Sequence, residues 1–391
     1  MLIPGSRSLG VSLSLVGLLA IAAAPPIAQP SNLCTTGSSI VASPSPGEVG
    51  NQLSGVVSLS ASDAWAVGSA STPVGIPLTL RAKPLVIHWD GAAWRLVHSA
   101  ALVGAGALSA ISAVSPNDMW AVGHQGLPTG GTPLIEHWNG SAWSVVASPA
   151  IPEGFLLGVS ALRADDVWAV GIRDVITGRT AHGLIEHWDG FTWKVVKSPN
   201  PSATYNEIDS VVSISPESAW AVGFSLSSVG SVPLLARWDG TRWSLVPSPA
   251  TGLPNNLLRS VAAGSRHDVW AVGQSSSEDG SQVQPLAERW DGKKWNVVVT
   301  AAPTSQSWFT GISVAGGQVL AVGVKVVAFT NRTLIERAEE GQFKVVASRN
   351  RGSSDNAFES VAANANGTAW AVGTDNGPTK SQSLVVRVCP V

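Results

Sequence analysis

The residues that could do chemistry fall in the second half of the chain. They are Tyr205, Asn206, Glu207 and Asp209, then Asn255, Asn256 and Arg259, then Trp308 beside Gln306, and last Asp355, Asn356 and Glu359. Two chemistries suit them. Carboxyl groups about 5–10 Å apart act as acid and base on a glycosidic bond, which makes Glu207, Asp209 and Glu359 candidates for a polysaccharide hydrolase or lyase. Alternatively, Trp308 and Tyr205 stack on a sugar ring or pack a peptide, while the amides and carboxylates hydrogen-bond its polar rim. The plain alternative is a set of solvated loop residues.

Other chemistries find little footing. The chain has no Ser-His-Asp order, no phosphate-binding loop and no zinc spacing. His88, His137 and His187 invite a metal reading, but Arg237, Arg289, Arg337 and Arg387 hold the same place in later copies of a repeat. A residue that recurs with the repeat performs a repeated structural task, and Arg is not a usual ligand. Glu136, Glu186, Glu288 and Glu336 precede four of these residues and point to the opposite face of a strand. The His and Arg series is expected to hydrogen-bond between repeats, to Asp63, Asp118, Asp166 and Asp268. The oxygen-rich runs 275–280 and 375–377 lack the spacing of an EF-hand, and Asn331-Arg332-Thr333 is a glycosylation-type triplet. No catalytic residue is assigned, and no metal or cofactor is expected.

What must position these residues is a repeat. Trp-Ala-Val-Gly begins at Trp65, Trp120, Trp168, Trp220, Trp270 and Trp370, with Leu-Ala-Val-Gly at Leu320. A second element follows, as in His137-Trp138-Asn139-Gly140 with Trp143, and in copy six it survives as Ala338-Glu339-Glu340-Gly341 with Phe343. Each copy of about 50 residues reads as four short strands, the propeller period. In copy three these are 157–162, 167–171, 184–188 and 193–197. The Asp189-Gly190 pair signals a tight turn, and Pro199 ends pairing by removing a donor. The expected fold is all-β: a seven-bladed β-propeller of four-stranded blades.

The ends of the chain supply closure. Copy seven has a second strand at Trp370 and a third at 384–388, then lacks a fourth before Val391. Ile40-Val41-Ala42-Ser43-Pro44 matches the fourth strand Val145-Val146-Ala147-Ser148-Pro149. The N-terminal strand is therefore expected to complete the last blade. Aligned this way, Cys34 and Cys389 both fall on the turn position of Asn139, so a disulfide there would replace the missing peptide link. An exported chain can keep such a bond, worth roughly 5 kcal/mol for so long a loop.

Loops joining strand four to strand one, and strand two to strand three, share one face of a propeller. Here they are long and irregular: 198–209, 249–259, 303–309 and 348–359, with 173–182 and 275–284. In the slot of Asp209, Arg259 and Glu359, the first three copies hold Ser54, Ser109 and Leu157. That asymmetry marks one site near the channel mouth, on loops held by a rigid scaffold.

The repeated Asp-Val-Trp-Ala-Val-Gly and Glu-His-Trp-Asp-Gly elements resemble secreted bacterial propellers of the kelch and galactose-oxidase-like group, over nearly the whole mature chain. A fainter likeness is to tectonin-type lectin repeats. The resemblance implies the fold and a habit of binding. It carries no active site: Ala-Val-Gly stands where kelch blades have Gly-Gly, and Tyr205 is the only Tyr available for a copper-site crosslink.

Residues 1–28 read as a secretory signal, with Arg7 before an apolar run and small residues up to Ala28. An uncleaved anchor is the alternative. Residues 29–37 then carry the closure cysteine, and 38–391 form the propeller. Charged residues are 13% of the chain and the formal net charge is -2, so no basic surface exists for nucleic acid. The expected protein is a secreted monomer with no membrane contact after signal removal. Its expected partner is a carbohydrate or an extracellular protein, and binding is favoured over enzymatic action.

Overall fold

The structure, a computed structural model, describes residues 37–389 apart from 76–78, 101, 103, 127–129, 176–179, 302, 303 and 305. Residues 1–28, expected to be a secretory signal, and Cys34 lie outside the described residues.

The fold is an all-β ring of seven antiparallel four-stranded blades, a seven-bladed propeller. Blade three shows the plan, with strands Phe155–Arg163, Asp166–Arg173, His182–Trp188 and Trp193–Val195. Its third and fourth strands turn at Asp189-Gly190 because Gly190 takes a φ of 91°. The Asp189 carboxylate accepts from the Phe191 and Thr192 amides at 3.0 and 2.9 Å, which fixes that turn.

Blade seven takes strands Asp355–Ala363, Ala369–Asn376 and Ser381–Val388 from the end of the chain and Ser38–Ile40 from its start. Ser39 pairs with Arg387 and Ile40 with Val386. This is the register in which Ser144 pairs with His137 and Val145 with Glu136. The Val41 amide donates to Val385 at 2.9 Å, as Val146 does to Ile135. The N-terminal strand thus completes the last blade in the expected register.

Tryptophan wedges join the blades. Trp65 stacks on His88 of its own blade at 4.2 Å and meets Trp138 and Trp143 of the next at 4.9 and 6.1 Å. Trp120, Trp168 and Trp220 make the same contact with the following indole pair. Trp370 of blade seven reaches Trp89 and Trp94 of blade one at 5.0 and 5.2 Å. Such tilted and edge-on pairs add about 0.5–1.5 kcal/mol each beyond the area they bury. Leu320 replaces Trp in blade six because the strand positions it faces hold Val388 and Ser38 instead of indoles, and it packs on Val388.

The His and Arg series bonds to the expected carboxylates. His88 meets Asp63 at 2.9 Å, His137 and His187 meet Asp118 and Asp166 at 2.8 Å, and Arg289 meets Asp268 at 2.7 Å. These four bonds run within a blade, which corrects the expectation for them, whereas Arg337 donates across to the Cys389 carbonyl of blade seven at 3.3 Å and Arg237 lies over Trp290 of blade five. The cause is register: His88 pairs with Trp65, two residues after Asp63 on the neighbouring strand. The fully buried Glu residues also bridge blades. Ser99 donates to Glu136 at 2.7 Å, Ser148 to Glu186 at 3.0 Å and Ser248 to Glu288 at 2.7 Å. The Ala301 amide donates to Glu336 at 3.0 Å.

Burial pushes these carboxyls up, to about 7 for Glu186 and Glu288, against the opposing pull of the serine hydroxyls. An unfolded Glu titrates near 4.3. Between those values the folded chain holds protons that the unfolded chain has released, so their contribution to stability falls as pH rises from about 5 to 8. Glu186→Gln is expected to flatten that slope, gaining about 2 kcal/mol over the parent at about pH 8 and almost nothing at about pH 5. Urea unfolding at both pH values reads it, and an unchanged slope counts against the buried strut.

Candidate functional site

Every first strand carries a β-bulge at the same place. The register shifts between Leu53 and Gly55, Leu108 and Ala110, Leu156 and Gly158, and Ile208 and Ser210. It shifts again between Leu258 and Ser260, Phe309 and Gly311, and Phe358 and Ser360. A bulge leaves one residue unpaired and re-aims its side chain. Here those residues are Ser54, Ser109, Leu157, Asp209, Arg259, Thr310 and Glu359, and all of them line one cavity of about 590 Å³. Since every blade contributes, this cavity is the channel of the ring.

The glycine of Trp-Ala-Val-Gly is what the bulge requires. Gly171 pairs with Leu156, and a Cβ on it would lie 1.9 Å from the Phe155 carbonyl oxygen. The equivalent glycines of the other blades would clash in the same way, at 2.0 to 2.1 Å. Only glycine lets the two strands approach this closely where the pairing slips.

Blades four and five place a charged constellation on this ring. Arg259 Nη1 donates to Asp209 Oδ1 at 2.9 Å and to Glu207 Oε1 at 3.3 Å. The Tyr205 hydroxyl donates to Glu207 Oε2. Phe224 floors the group, with the Tyr205 ring stacked at 5.5 Å and the guanidinium 5.4 Å from its centre. Burial first, and the Glu207 charge second, push the Asp209 carboxyl well above its ordinary range. Burial and the Glu207 partner likewise raise the Tyr205 phenol. Burial also lifts Glu359 to about 7, with the Arg259 charge pulling the other way. Trp308 joins the cavity wall beside Val324, Asn331 and Ala357.

Asp209, Arg259, Trp308 and Glu359 therefore meet at the channel, with Tyr205 and Glu207 behind Arg259. The remaining candidates do not join them, because loop backbone occupies their polar atoms. Asn206 Oδ1 accepts from Ser202 N at 2.9 Å, and its Nδ2 donates back to the Ser202 carbonyl at 2.8 Å. Asn256 accepts from the Thr251 hydroxyl and donates to the Leu253 carbonyl, and Asn356 accepts from the Arg351 amide and donates to the Ser354 carbonyl. Asn255 and Asp355 accept from the Ser231 and Asn331 amides at 3.1 and 2.7 Å, each pinning the hairpin of the preceding blade.

Thr310, Gln274 and Phe224 belong to the site or its floor without being candidates by type, and Asn331, noted only as part of a glycosylation-type triplet, lines the channel. Gln274 and Phe224 each follow a motif glycine, which was the available signal. Among the described residues no group of three or more His, Cys, Asp and Glu is arranged to hold a metal ion.

No described protein family and no curated protein matches the chain. Solved structures do. One is YCF48 bound to D1 peptide, 14% identical, with a TM-score of 0.51 over 95% of this chain and 100% of that one. Another is the extracellular domain of the hybrid two component system BT4673 from B. thetaiotaomicron, 11% identical, with a TM-score of 0.53 over 90% of this chain. The chain spans 39% of that longer one. These likenesses are of fold.

Removing the guanidinium would leave Glu207 and Asp209, whose side chains are 14% and 11% exposed, without their shared cation. An uncompensated buried charge costs about 3–5 kcal/mol. Arg259 is itself 38% exposed, so solvent screens part of this, and Arg259→Ala is expected to lose about 2 kcal/mol. Adding Asp209→Asn to that variant should restore part of the loss, as thermal unfolding of the single and double variants would read.

Proposed function

We propose that the chain is an exported, non-enzymatic binding propeller that holds a segment of extracellular carbohydrate at the mouth of its channel. The observation that carries this reading is the bulge ring. The backbone fixes one side chain per blade around a single cavity, and those from blades four, five and seven are charged while the others are Ser, Thr or Leu. Sites on strands are held more rigidly than sites on loops. Trp308 offers an aromatic face, and the Ser54 and Ser109 hydroxyls have no protein hydrogen-bond partner among the described residues. That combination suits a ring with an apolar face and a hydroxyl rim.

Hydrolysis is the weaker reading. It needs one carboxyl free as an acid and another free as base or nucleophile across the bond. Asp209 and Glu207 share Arg259, which leaves Glu359 as the channel carboxyl without a side-chain hydrogen bond among the described residues. A peptide segment of an extracellular protein is the second reading, favoured by YCF48, a propeller of similar fold that is bound to D1 peptide. The likeness to kelch and galactose-oxidase-type propellers enters at the level of fold and of binding.

The export reading rests on residues 1–28 and on a disulfide between Cys34 and Cys389. Its support is local: the Cys389 amide donates to the Gly37 carbonyl at 2.9 Å, and Cys389 is buried. The mature chain is proposed to act as a monomer.

A glycan array with the mature protein tests the ligand class. Binding to at least one glycan is expected, weakened about two- to tenfold by Trp308→Ala, the usual weight of an aromatic contact. Silence across the array would sink the carbohydrate reading. For the closure bond, the intact mass of the unreduced mature chain should rise by two hydrogens on reduction, and an unchanged mass would remove the disulfide.

A further inference from the structure

Carboxyls outnumber cations at the channel. Arg259 is the one cationic side chain among the described residues that line it, and Glu207 and Asp209 already answer its charge at 3.3 and 2.9 Å. Asp209 Oδ2 is buried, with the Glu207 carboxyl beside Asp209 as its neighbour. Among the described residues Glu359 faces the cavity with no ion pair, and the Arg259 charge favours its ionised form only from a distance. A half-buried carboxylate without an ion-pair partner is a place where a cationic ligand group would gain a charge-assisted hydrogen bond.

Glu359 also lines a second cavity of about 370 Å³ between blades seven and one. Its walls carry the amides of Gln52 and Asn376 and the hydroxyls of Ser69, Ser71 and Thr374. The carboxyl thus stands where the channel meets a polar side chamber. A hydroxylated ring would find donors and acceptors on several sides, and its carbon face would meet Val49, Leu80 and Ala357. A uronate would bring a further negative charge beside Glu359.

We infer that the ligand is an amine-bearing sugar polymer, whose protonated amine pairs with Glu359 while the adjoining ring enters the side chamber. This rests on the carbohydrate reading above and narrows it. No covalent step is involved.

Calorimetry with the full mature chain near neutral pH separates the possibilities. The probes are a glucosamine tetramer, its N-acetylated counterpart, a galacturonate oligomer and trilysine. The glucosamine tetramer is expected to bind, about tenfold or more tighter than the acetylated one, and to weaken as salt is raised. Glu359→Gln, close to isosteric, should abolish that preference. Equal binding of the acetylated tetramer, or preference for galacturonate, overturns the amine and leaves the carbohydrate reading standing. Binding of trilysine alone overturns the sugar, and binding of none overturns both. The ligand preference of the parent protein decides the matter even if the variant fails to fold.

Discussion

A four-stranded sheet whose two faces are both apolar is stable only when both are covered, and everything else in this protein follows from that requirement. In the second strand of each blade the side chains of Trp-Ala-Val-Gly alternate between two neighbouring blades, and nearly all are buried. No blade can therefore stand at an open end. The answer is a circle, sealed by a strand borrowed from the other terminus and by Trp370 set against Trp89 and Trp94. The seam leaves its mark on its neighbour: where blade seven lacks its indole pair, blade six has Leu320 in place of the wedge. What looks like decay of the repeat is a fit to a joint that offers no aromatic ring.

A closed ring is stiff, and the stiffness is what makes the bulges useful. The slip in each first strand is enforced from the partner strand by a glycine that tolerates a carbonyl about 2 Å from where its Cβ would be. The unpaired residue has no freedom to choose another direction, so its side chain is committed to the channel. A substitution in that slot changes what the channel presents without disturbing the pairing around it. Ser54, Ser109, Leu157 and Thr310 on one side of the comparison, and Asp209, Arg259 and Glu359 on the other, occupy equivalent backbone.

The architecture was open to sequence reading because its signals are periodic: the Trp spacing, the Asp-Gly turns and the match of 40–44 to 145–149. The joints were harder. Alternation places Glu136 and His137 on opposite faces but does not say which face meets another blade; the Glu series bridges in four places, while of the His and Arg series Arg337 and Arg237 reach across. Asn206, Asn256 and Asn356 were chosen for type and for nearness to the channel. In a long loop such residues bond to their own backbone as readily as to a ligand, and here they do. The bulges escaped notice because counting by twos fails across an inserted residue. Their trace was present all along as a glycine inside a strand, a position that weakens a strand unless some close approach demands it.

The distinction between positions that the fold dictates and positions that it leaves open is what separates a binding channel from a structural pore. The wedge Trp, the motif glycine and the caps of the loops are fixed by packing or by backbone. The bulge slot is not, since a serine suffices there in blades one and two. Yet blade four fills it with Asp209, whose carboxyl is held well above its ordinary range by burial and by Glu207. Blade seven fills it with Glu359, which burial lifts to about 7. Stability alone would favour serine at both. Retaining ionisable groups at a net cost, in a rigid cavity, at positions where neutral ones fit, is the pattern expected when the groups serve something outside the fold. Arg259 belongs to the same logic: it lets two carboxylates stand side by side within the wall and so keeps the channel acidic without flying apart, while Glu359, which it does not bind, remains available.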